Sequence, residues 1–132
     1  MTGEKNLDKL LPAMSPALLA GEFIFCSFEK ARYGDHSDLE PIAAFTESEG
    51  LTLVITKSNA DKNEINYESV FRCITLNVHS SLDAVGLTAA FSSKLAEYGI
   101  SANVIAGYFH DHIFVQNKHA EKAIAAISEL TG

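Results

Sequence analysis

Arginine, cysteine and long apolar runs are scarce in this chain of 132 residues. The arginines are Arg32 and Arg72, and the formal net charge is −7. Nucleic-acid binding requires clustered cationic side chains, so this balance argues against a nucleic-acid partner. The most apolar early segment, 16–28, is broken by Gly21 and Glu22 and is too short to cross a bilayer. We therefore expect a cytoplasmic protein without a membrane partner.

The two cysteines, Cys26 and Cys73, both fall within predicted strands. A free cysteine behaves as a small buried hydrophobe, so reduced core thiols are the favoured interpretation and a disulfide or redox pair is the alternative. The sequence also lacks the glycine patterns of nucleotide-binding loops and the Gly-x-Ser-x-Gly elbow of hydrolases. We predict no cofactor, no catalytic residues and no enzymatic activity.

The clearest periodicity lies in the second half of the chain. Residues 71–78 alternate between two faces, which predicts a strand, and the apolar residues of 84–98 recur at helical steps. Asp83 is a candidate N-cap, and Gly99 is expected to end the helix in the left-handed conformation. Two further strands and a second helix complete a β-α-β-β-α order: 101–108, 112–116 and 117–130.

This order predicts a ferredoxin-like α+β arrangement, with an antiparallel sheet and the helices on one of its faces. Because a parallel crossover is right-handed, the first strand lies between the third strand and a fourth strand that this half lacks. We expect an N-terminal strand, 22–28 or 51–56, to close that edge. The polar, aperiodic segment 57–68 marks the boundary between two subdomains, 1–68 and 69–132.

Four segments of the second half resemble an ACT domain: 71–76, 83–87, 95–104 and 110–115. The similarity is to aspartokinase-type ACT modules and to small stand-alone bacterial proteins that contain two such modules. Segment 45–54 resembles the first part of those stand-alone proteins, so the resemblance reaches the N-terminal half. It implies two subdomains of the ACT type, whose order is βαββαβ, of which the N-terminal one is incomplete and contributes a strand to the second.

The resemblance also implies a function and a site. ACT domains bind an amino acid or a similar metabolite between two modules, through the loop after the first strand and through the second strand. The matching positions are Asp83, Val85, Gly86 and Leu87 in the loop, and Asn103, Val104 and Ile105 in the strand. The implied protein is a regulatory sensor without catalytic activity of its own.

The loop 79–87 is a candidate site on physical grounds as well. A helix N-terminus leaves several N–H groups unpaired and carries partial positive charge, so its amides bind a carboxylate without arginine. Ser80 and Ser81 add hydroxyl donors, and Asp83 either caps the helix or binds an ammonium group. The structural alternative is that Asp83 is only a cap and that Gly86 only allows close helix packing.

A metal site is a competing interpretation of the histidines. In the predicted sheet His79 comes near His112, and two imidazoles with Asp111 suit zinc or iron. Polar residues are ordinary in a tight turn, however, so no metal is predicted, and Asp111 and His112 are kept as polar contacts to a ligand. Asn103 is either a ligand contact or an edge-strand residue that faces water.

Two functions other than sensing stay open. One is a ligand-free module that docks a protein partner through the same sheet, and the other is a metal-dependent enzyme. A homo-oligomer is expected, because open sheet edges and the face with Phe71, Cys73 and Thr75 need covering.

Overall fold

The computed structural model describes residues 5–78 and 85–131. The chain divides into two compact units. The first, the terminal unit, joins Met1–Leu19 with Arg72–Gly132, and the second, the inserted unit, comprises Ala20–Phe71. The division predicted from the sequence, 1–68 and 69–132, differs in the first nineteen residues. It assigns them to the N-terminal subdomain, whereas the contacts group them with Arg72–Gly132.

The terminal unit contains a sheet in the order β1-β5-β7-β6. Its strands are β1 (Pro16–Leu18), β5 (Phe71–Leu76, of which Phe71 belongs to the inserted unit), β6 (Asn103–Ala106) and β7 (Asp111–Gln116). In this order β5 lies between β7 and an N-terminal strand, as the ferredoxin-like arrangement predicts. Strand β6 pairs with β7 in antiparallel register.

The strand that closes β5 was not identified from the sequence. Strand β1 pairs antiparallel with β5, with Ala17 opposite Thr75. It has three residues and begins with proline, so it carries no alternation that a sequence pattern would show. The expected strand 22–28 pairs with β5 at a single position, where Phe23 lies opposite Phe71. The expectation that this strand or 51–56 covers the edge is therefore wrong over Ile74–Leu76.

Three helices of the terminal unit pack into one apolar cluster with the sheet. They are α1 (Leu7–Ala13), α3 (Leu87–Glu97) and α4 (Ala120–Ser128). The buried members come from α1, the helical stripes of α3 and α4, the loop after α3, and alternate positions of β5 and β7: Leu10, Met14, Ile74, Leu76, Leu87, Phe91, Leu95, Ile100, Ile113, Val115, Ala123, Ala126 and Ile127. Because these strand residues share one face of a pleated sheet, the helices cover that face.

The end of α3 follows the prediction, and its beginning does not. Gly99 has φ +71°, its N–H donates to Ala96 O, and Ile100 N–H donates to Leu95 O, both at 3.0 Å. These bonds form the six-residue C-terminal motif expected for a left-handed glycine followed by an apolar residue. The helix begins at Leu87, three residues later than predicted, and α4 likewise begins after a short 3₁₀ turn at 117–119.

The inserted unit contains an antiparallel sheet in the order β3-β4-β2. Its elements are β2 (Phe23–Phe28), β3 (Ala43–Glu47), β4 (Gly50–Thr56) and α2 (Lys57–Lys62). Helix α2 was missed, because six residues, of which only Ala60 is apolar, are too few to show a helical period. The usable signal was its cap: Thr56 Oγ1 accepts a hydrogen bond from Asn59 N–H at 3.1 Å.

The core of the inserted unit is smaller than that of the terminal unit. Its buried members come from β2, β4, α2 and a 3₁₀ turn at Ser37–Leu39: Ile24, Leu39, Leu51, Leu53, Ile55 and Ala60. In the parts of the chain that the structure describes, no helix is long and apolar enough to span a membrane.

Candidate ligand site

The start of α3 is built around Gly86. This residue is the N-cap, with φ +99°, a conformation that L side chains rarely adopt. A Cβ atom placed there would lie 3.1 Å from Leu7 Cδ2, which belongs to α1. Gly86 therefore has two structural roles, in which it turns the chain into the helix and makes room for Leu7. Asp83, the predicted N-cap, lies outside the described residues, as do Ser80, Ser81 and His79.

The residues on either side of Gly86 have opposite environments. Val85 is 84% exposed, whereas Leu87 is 3% exposed and belongs to the apolar cluster of the terminal unit. A molecule that reaches this loop from solvent meets Val85, and Leu87 holds the helix on the sheet. Of the two, Val85 is the position where a substitution changes the surface without opening the core.

The predicted strand contacts fall on two faces of the sheet. Val104 packs against the apolar cluster under the helices. Because side chains alternate along a strand, Asn103 and Ile105 point to the opposite face. Asn103 is exposed, and its Nδ2 donates to the carbonyl oxygen of Phe114 at 3.3 Å. Side chains from Asn103, Val104 and Ile105 thus do not form one continuous wall.

A polar pair lies on the face that carries Ile105. Thr75 Oγ1 and His112 Nδ1 are 2.9 Å apart, and His112 lies opposite Ile105 in the register of β6 and β7. Burial lowers the pKa of the His112 imidazole, His110 lowers it further, and Asp111 acts in the opposite direction. At neutral pH the imidazole is therefore uncharged. Sequence reasoning missed this pair, because it depends on how β5 and β7 are aligned.

Burial also alters the acid that precedes His112. The pKa of the Asp111 carboxyl is raised by desolvation, while His112 and His110 act to lower it. His110 Nδ1 lies 3.4 Å from the carbonyl oxygen of Val78. Residues 5–78 and 85–131 hold no group of three or more His, Cys, Asp or Glu side chains arranged to bind a metal.

Both cysteines are free thiols. Cys73 is 1% exposed, and burial raises its pKa to about 11, although a hydrogen bond with Thr75 acts to lower it. Burial also raises the pKa of Cys26, whose Sγ lies 3.8 Å from the carbonyl oxygen of Leu53. A thiol with a raised pKa is protonated at neutral pH and is a poor nucleophile.

The inserted unit has a cleft that the sequence did not indicate. Its volume is about 640 Å³, and its lining comes from the residues before β2, the end of β4 and α2: Gly21, Glu22, Thr56, Lys57, Ser58, Asn59, Asp61 and Lys62. Lys57 Nζ and Tyr67 Oη both contact the Asp61 carboxylate, at 2.9 and 2.8 Å. The Asp61 carboxylate is thus paired within the chain by Lys57 and by the Tyr67 hydroxyl, which makes the cleft a weaker candidate than the start of α3.

Two family models match the chain, and together they cover almost all of it. Both describe an ACT domain, and they match residues 2–72 and 68–129. The chain belongs to the ACT domain family. This membership confirms the resemblance predicted for both halves of the chain. It also confirms the α+β architecture of two ferredoxin-like modules.

Solved structures show the same relationship. A protein of unknown function from Vibrio cholerae, described as a possible transport protein, is 52% identical with a TM-score of 0.87, and the match covers 97% of this chain and 98% of that one. The regulatory subunit of aspartate kinase from Thermus thermophilus is 11% identical with a TM-score of 0.63, over 91% and 99% of the two chains.

The aspartate kinase of Clostridium acetobutylicum is 16% identical with a TM-score of 0.63, over 89% of this chain and 34% of that one. At these identities the two kinase structures show a shared fold. A comparison with curated proteins gave no match. Taken together, membership of the ACT family supports a regulatory role that depends on ligand binding.

Proposed function

We propose that this protein is a non-catalytic sensor that binds a small metabolite, an amino acid, and responds by changing its association with a second copy or another protein. The observation that carries the proposal is the surface at the start of α3. An 84% exposed valine, Val85, directly precedes the N-terminus of an eleven-residue helix in a chain of the ACT family.

The chemistry of that surface suits an amino acid. The first N–H groups of an α-helix have no partner within the helix and carry partial positive charge, so they attract a carboxylate. Val85 offers an apolar contact for a ligand side chain. Asp83 would take the ammonium group, and Ser80 and Ser81 would add hydroxyl donors. Arginine is not required, which agrees with its scarcity in this sequence.

The other proposed contacts divide into two groups by their surroundings. Leu87 and Val104 lie on the helix-covered side of the sheet and shape the site from within the core. Asn103 and Ile105 lie on the other side, together with His112. Ligand contacts from that second group, and from Asp111, are proposed for the state in which another module approaches the strand.

The proposed mechanism is a population shift. A ligand that makes contacts in the associated state, but not in the separated one, favours association by its difference in affinity. Catalysis is not proposed, because the two candidate nucleophiles, Thr75 and Cys73, are buried. Thr75 is 7% exposed, and the Cys73 thiol has a pKa of about 11.

Thermal unfolding in the presence of each amino acid tests the proposal. A ligand present at one hundred times its Kd stabilises the folded state by about 2.7 kcal/mol, which raises the melting temperature measurably. We expect one amino acid, or a few of similar chemistry, to give such a rise. No response from any amino acid would contradict sensing and favour the ligand-free docking module. Metal analysis of the purified protein separately tests the metal-dependent enzyme.

A pair of exposed substitutions locates the site. Val85→Asp places a negative charge beside the proposed carboxylate position, and we expect the ligand response to disappear while the fold remains. Tyr33→Asp is the matched control, because Tyr33 is 88% exposed and lies in the inserted unit. An unchanged response in Val85→Asp, or an equal loss in both variants, would place the site elsewhere.

A further inference from the structure

Almost all of the net charge of this chain belongs to the inserted unit. Residues 20–71 contain ten acidic and four basic side chains, so this unit carries a formal charge of −6 out of the chain's −7. No lysine or arginine occurs between Arg32 and Lys57. Five acidic residues do: Asp35, Asp38, Glu40, Glu47 and Glu49. A surface with one sign of charge attracts partners of the opposite sign and accelerates their association.

Strand β3, which lies within this acidic segment, ends the sheet of the inserted unit. Its only strand neighbour among the residues that the structure describes is β4, so its other edge is unpaired. The five paired positions run without a bulge from Ala43 opposite Val54 to Glu47 opposite Gly50. The strand also contains no proline and no lysine, two residues that commonly protect sheet edges. The edge therefore offers a row of N–H and C=O groups to another extended chain.

Apolar side chains are exposed along the same strand. Phe45, the central residue of β3, is 69% exposed, and Ile42, which directly precedes the strand, is 50% exposed. Because side chains alternate along a strand, Phe45 and Glu47 point to the same face of the sheet. One oxygen of the Glu47 carboxylate accepts a hydrogen bond from the Thr52 hydroxyl, and a carboxylate has two acceptor oxygens. A guanidinium group stacks on aromatic rings and pairs with carboxylates, so it suits this combination.

We propose that β3 is a docking edge for a basic extended segment of another protein, which adds a further strand to the sheet of the inserted unit. Main-chain hydrogen bonds to the unpaired edge supply affinity, and side chains at alternate positions supply specificity. An arginine on the face that carries Phe45 stacks on the ring and pairs with the Glu47 carboxylate. This docking requires no bound amino acid, so it stands apart from the proposed function.

Charge is the reason for choosing a basic partner over a second copy of this chain. Two inserted units that each carry −6 repel each other, and pairing through β3 would bring their acidic segments together. A neutral strand gains only the main-chain hydrogen bonds. A basic strand gains these bonds and the attraction of the carboxylates, so it has the higher affinity for this edge.

Synthetic peptides test the docking edge on the full chain. The probe is a peptide in which arginine alternates with valine, and its control has glutamate in place of every arginine. We expect calorimetry to detect binding of the arginine peptide alone, with an affinity that decreases as salt is added. Methylation of the main-chain nitrogens of the arginine peptide keeps its charge but removes its N–H donors. We expect this change to raise the Kd about tenfold or more.

Two charge reversals in the inserted unit locate the peptide. Glu47→Lys/Glu49→Lys reverses the charge at the end of β3, and we expect the Kd of the arginine peptide to rise about tenfold or more. Glu64→Lys/Glu68→Lys is the matched control, because it changes the net charge equally at exposed positions outside β3, and we expect a smaller rise.

The exposed ring provides a test that leaves the charge unchanged. Phe45→Ala removes the surface for stacking, and we expect the Kd of the arginine peptide to rise about two- to fivefold. Circular dichroism and thermal melts establish that every variant is folded. Sedimentation velocity of the wild type and of Phe45→Ala shows whether a second copy occupies the edge.

Five results would each overturn the docking edge. They are the absence of peptide binding, equal binding of the glutamate peptide, binding that survives main-chain methylation, equal losses in the two charge reversals, and a wild-type dimer that Phe45→Ala dissociates.

The amino-acid melts, repeated on Glu47→Lys/Glu49→Lys, separate this docking edge from the proposed function. We expect the variant to lose the peptide and to keep the ligand response of the wild type. A wild type that meets the peptide predictions but responds to no amino acid supports the docking edge and rejects sensing. A wild type that responds to an amino acid but binds no arginine peptide rejects the docking edge alone.

Discussion

The terminal and inserted units share an ACT-type sheet but differ in how much of it their helices cover. Among the residues that the structure describes, three helices of the terminal unit bury a cluster of 13 residues, whereas the cluster of the inserted unit has six. The connection from β5 to β6 contains the eleven-residue helix α3, but the corresponding connection from β2 to β3 contains only a 3₁₀ turn. A helix adds its own apolar stripe to a core, so its absence removes a layer of burial.

The same connection in the inserted unit also holds unfavourable backbone conformations. Lys30, His36 and Glu40 all have positive φ values, between 52° and 62°. A residue other than glycine in this region costs about 1–3 kcal/mol and persists only when its surroundings hold it there. From this difference we expect the two copies of one family architecture to have unequal local stability, with the terminal unit as the more stable one.

The largest expected effect comes from a matched pair of core leucines. Leu95 in α3 and Leu53 in β4 are 0% and 1% exposed. Replacing a buried leucine with alanine costs about 2–5 kcal/mol, and the cost rises with the cavity that remains. We expect Leu95→Ala to lie at the upper end and Leu53→Ala at the lower end. Urea unfolding measures both, and a larger cost for Leu53→Ala would reverse the comparison.

Two glycines with similar backbone angles give the next effect. Gly86 and Gly34 have φ of +99° and +95°. A Cβ atom added at Gly86 would lie 3.1 Å from Leu7 Cδ2, whereas a Cβ atom added at Gly34 would have no neighbouring atom within 4 Å. Both alanine variants suffer backbone strain of about 1–3 kcal/mol. We expect Gly86→Ala to lose more stability, because Leu7 must also move. Equal losses in thermal melts would show that the contact with α1 contributes nothing.

A smaller effect is expected from the hydroxyl that meets His112. Thr75→Val keeps the shape of the side chain and leaves His112 Nδ1 without its partner, at a cost of about 1–3 kcal/mol. Thr52→Val is the control, since Thr52 contacts the exposed Glu47 carboxylate in the inserted unit. A cost for Thr75→Val no greater than the control's would show that the pair adds no stability.

The smallest effect is a pH dependence specific to the terminal unit. The pKa of His112 is lowered from 6.5 in the folded protein, so the unfolded chain takes up its proton first as the pH falls. Stability should therefore decrease as the pH drops through 6.5, and level off below the folded pKa. His112→Gln should flatten that slope. A slope that persists in this variant would assign the dependence to another group.

The titration of Asp111 changes stability in the opposite direction from that of His112, and it does so at lower pH. Its folded pKa is raised above 3.8, so the folded protein binds the proton first as the pH falls. Stability should rise as the pH falls from the folded pKa towards 3.8, and Asp111→Asn should remove this rise. An NMR titration of both side chains distinguishes their contributions.

Local patterns predicted the elements that depend on neighbouring residues. The stripe of α3 and its end at Gly99, followed by Ile100, were predicted from periodicity and capping rules. The strand order around β5 was predicted from the right-handedness of parallel crossovers. Elements too short for a pattern were missed or misplaced, namely β1 with three residues and α2 with six. The predicted site was only partly located, because Ser80, Ser81 and Asp83 lie outside the described residues.

The sequence by itself determined that the second half is β-α-β-β-α and that the chain resembles the ACT family. Only the tertiary structure decided that β1 closes the sheet, that Thr75 meets His112, and that Leu7 packs on Gly86. The physical reason is the separation in sequence between the residues that make contact. Helical stripes and caps are set by residues within a few positions of one another, but these contacts join residues 37 or more positions apart, whose alignment no local pattern records.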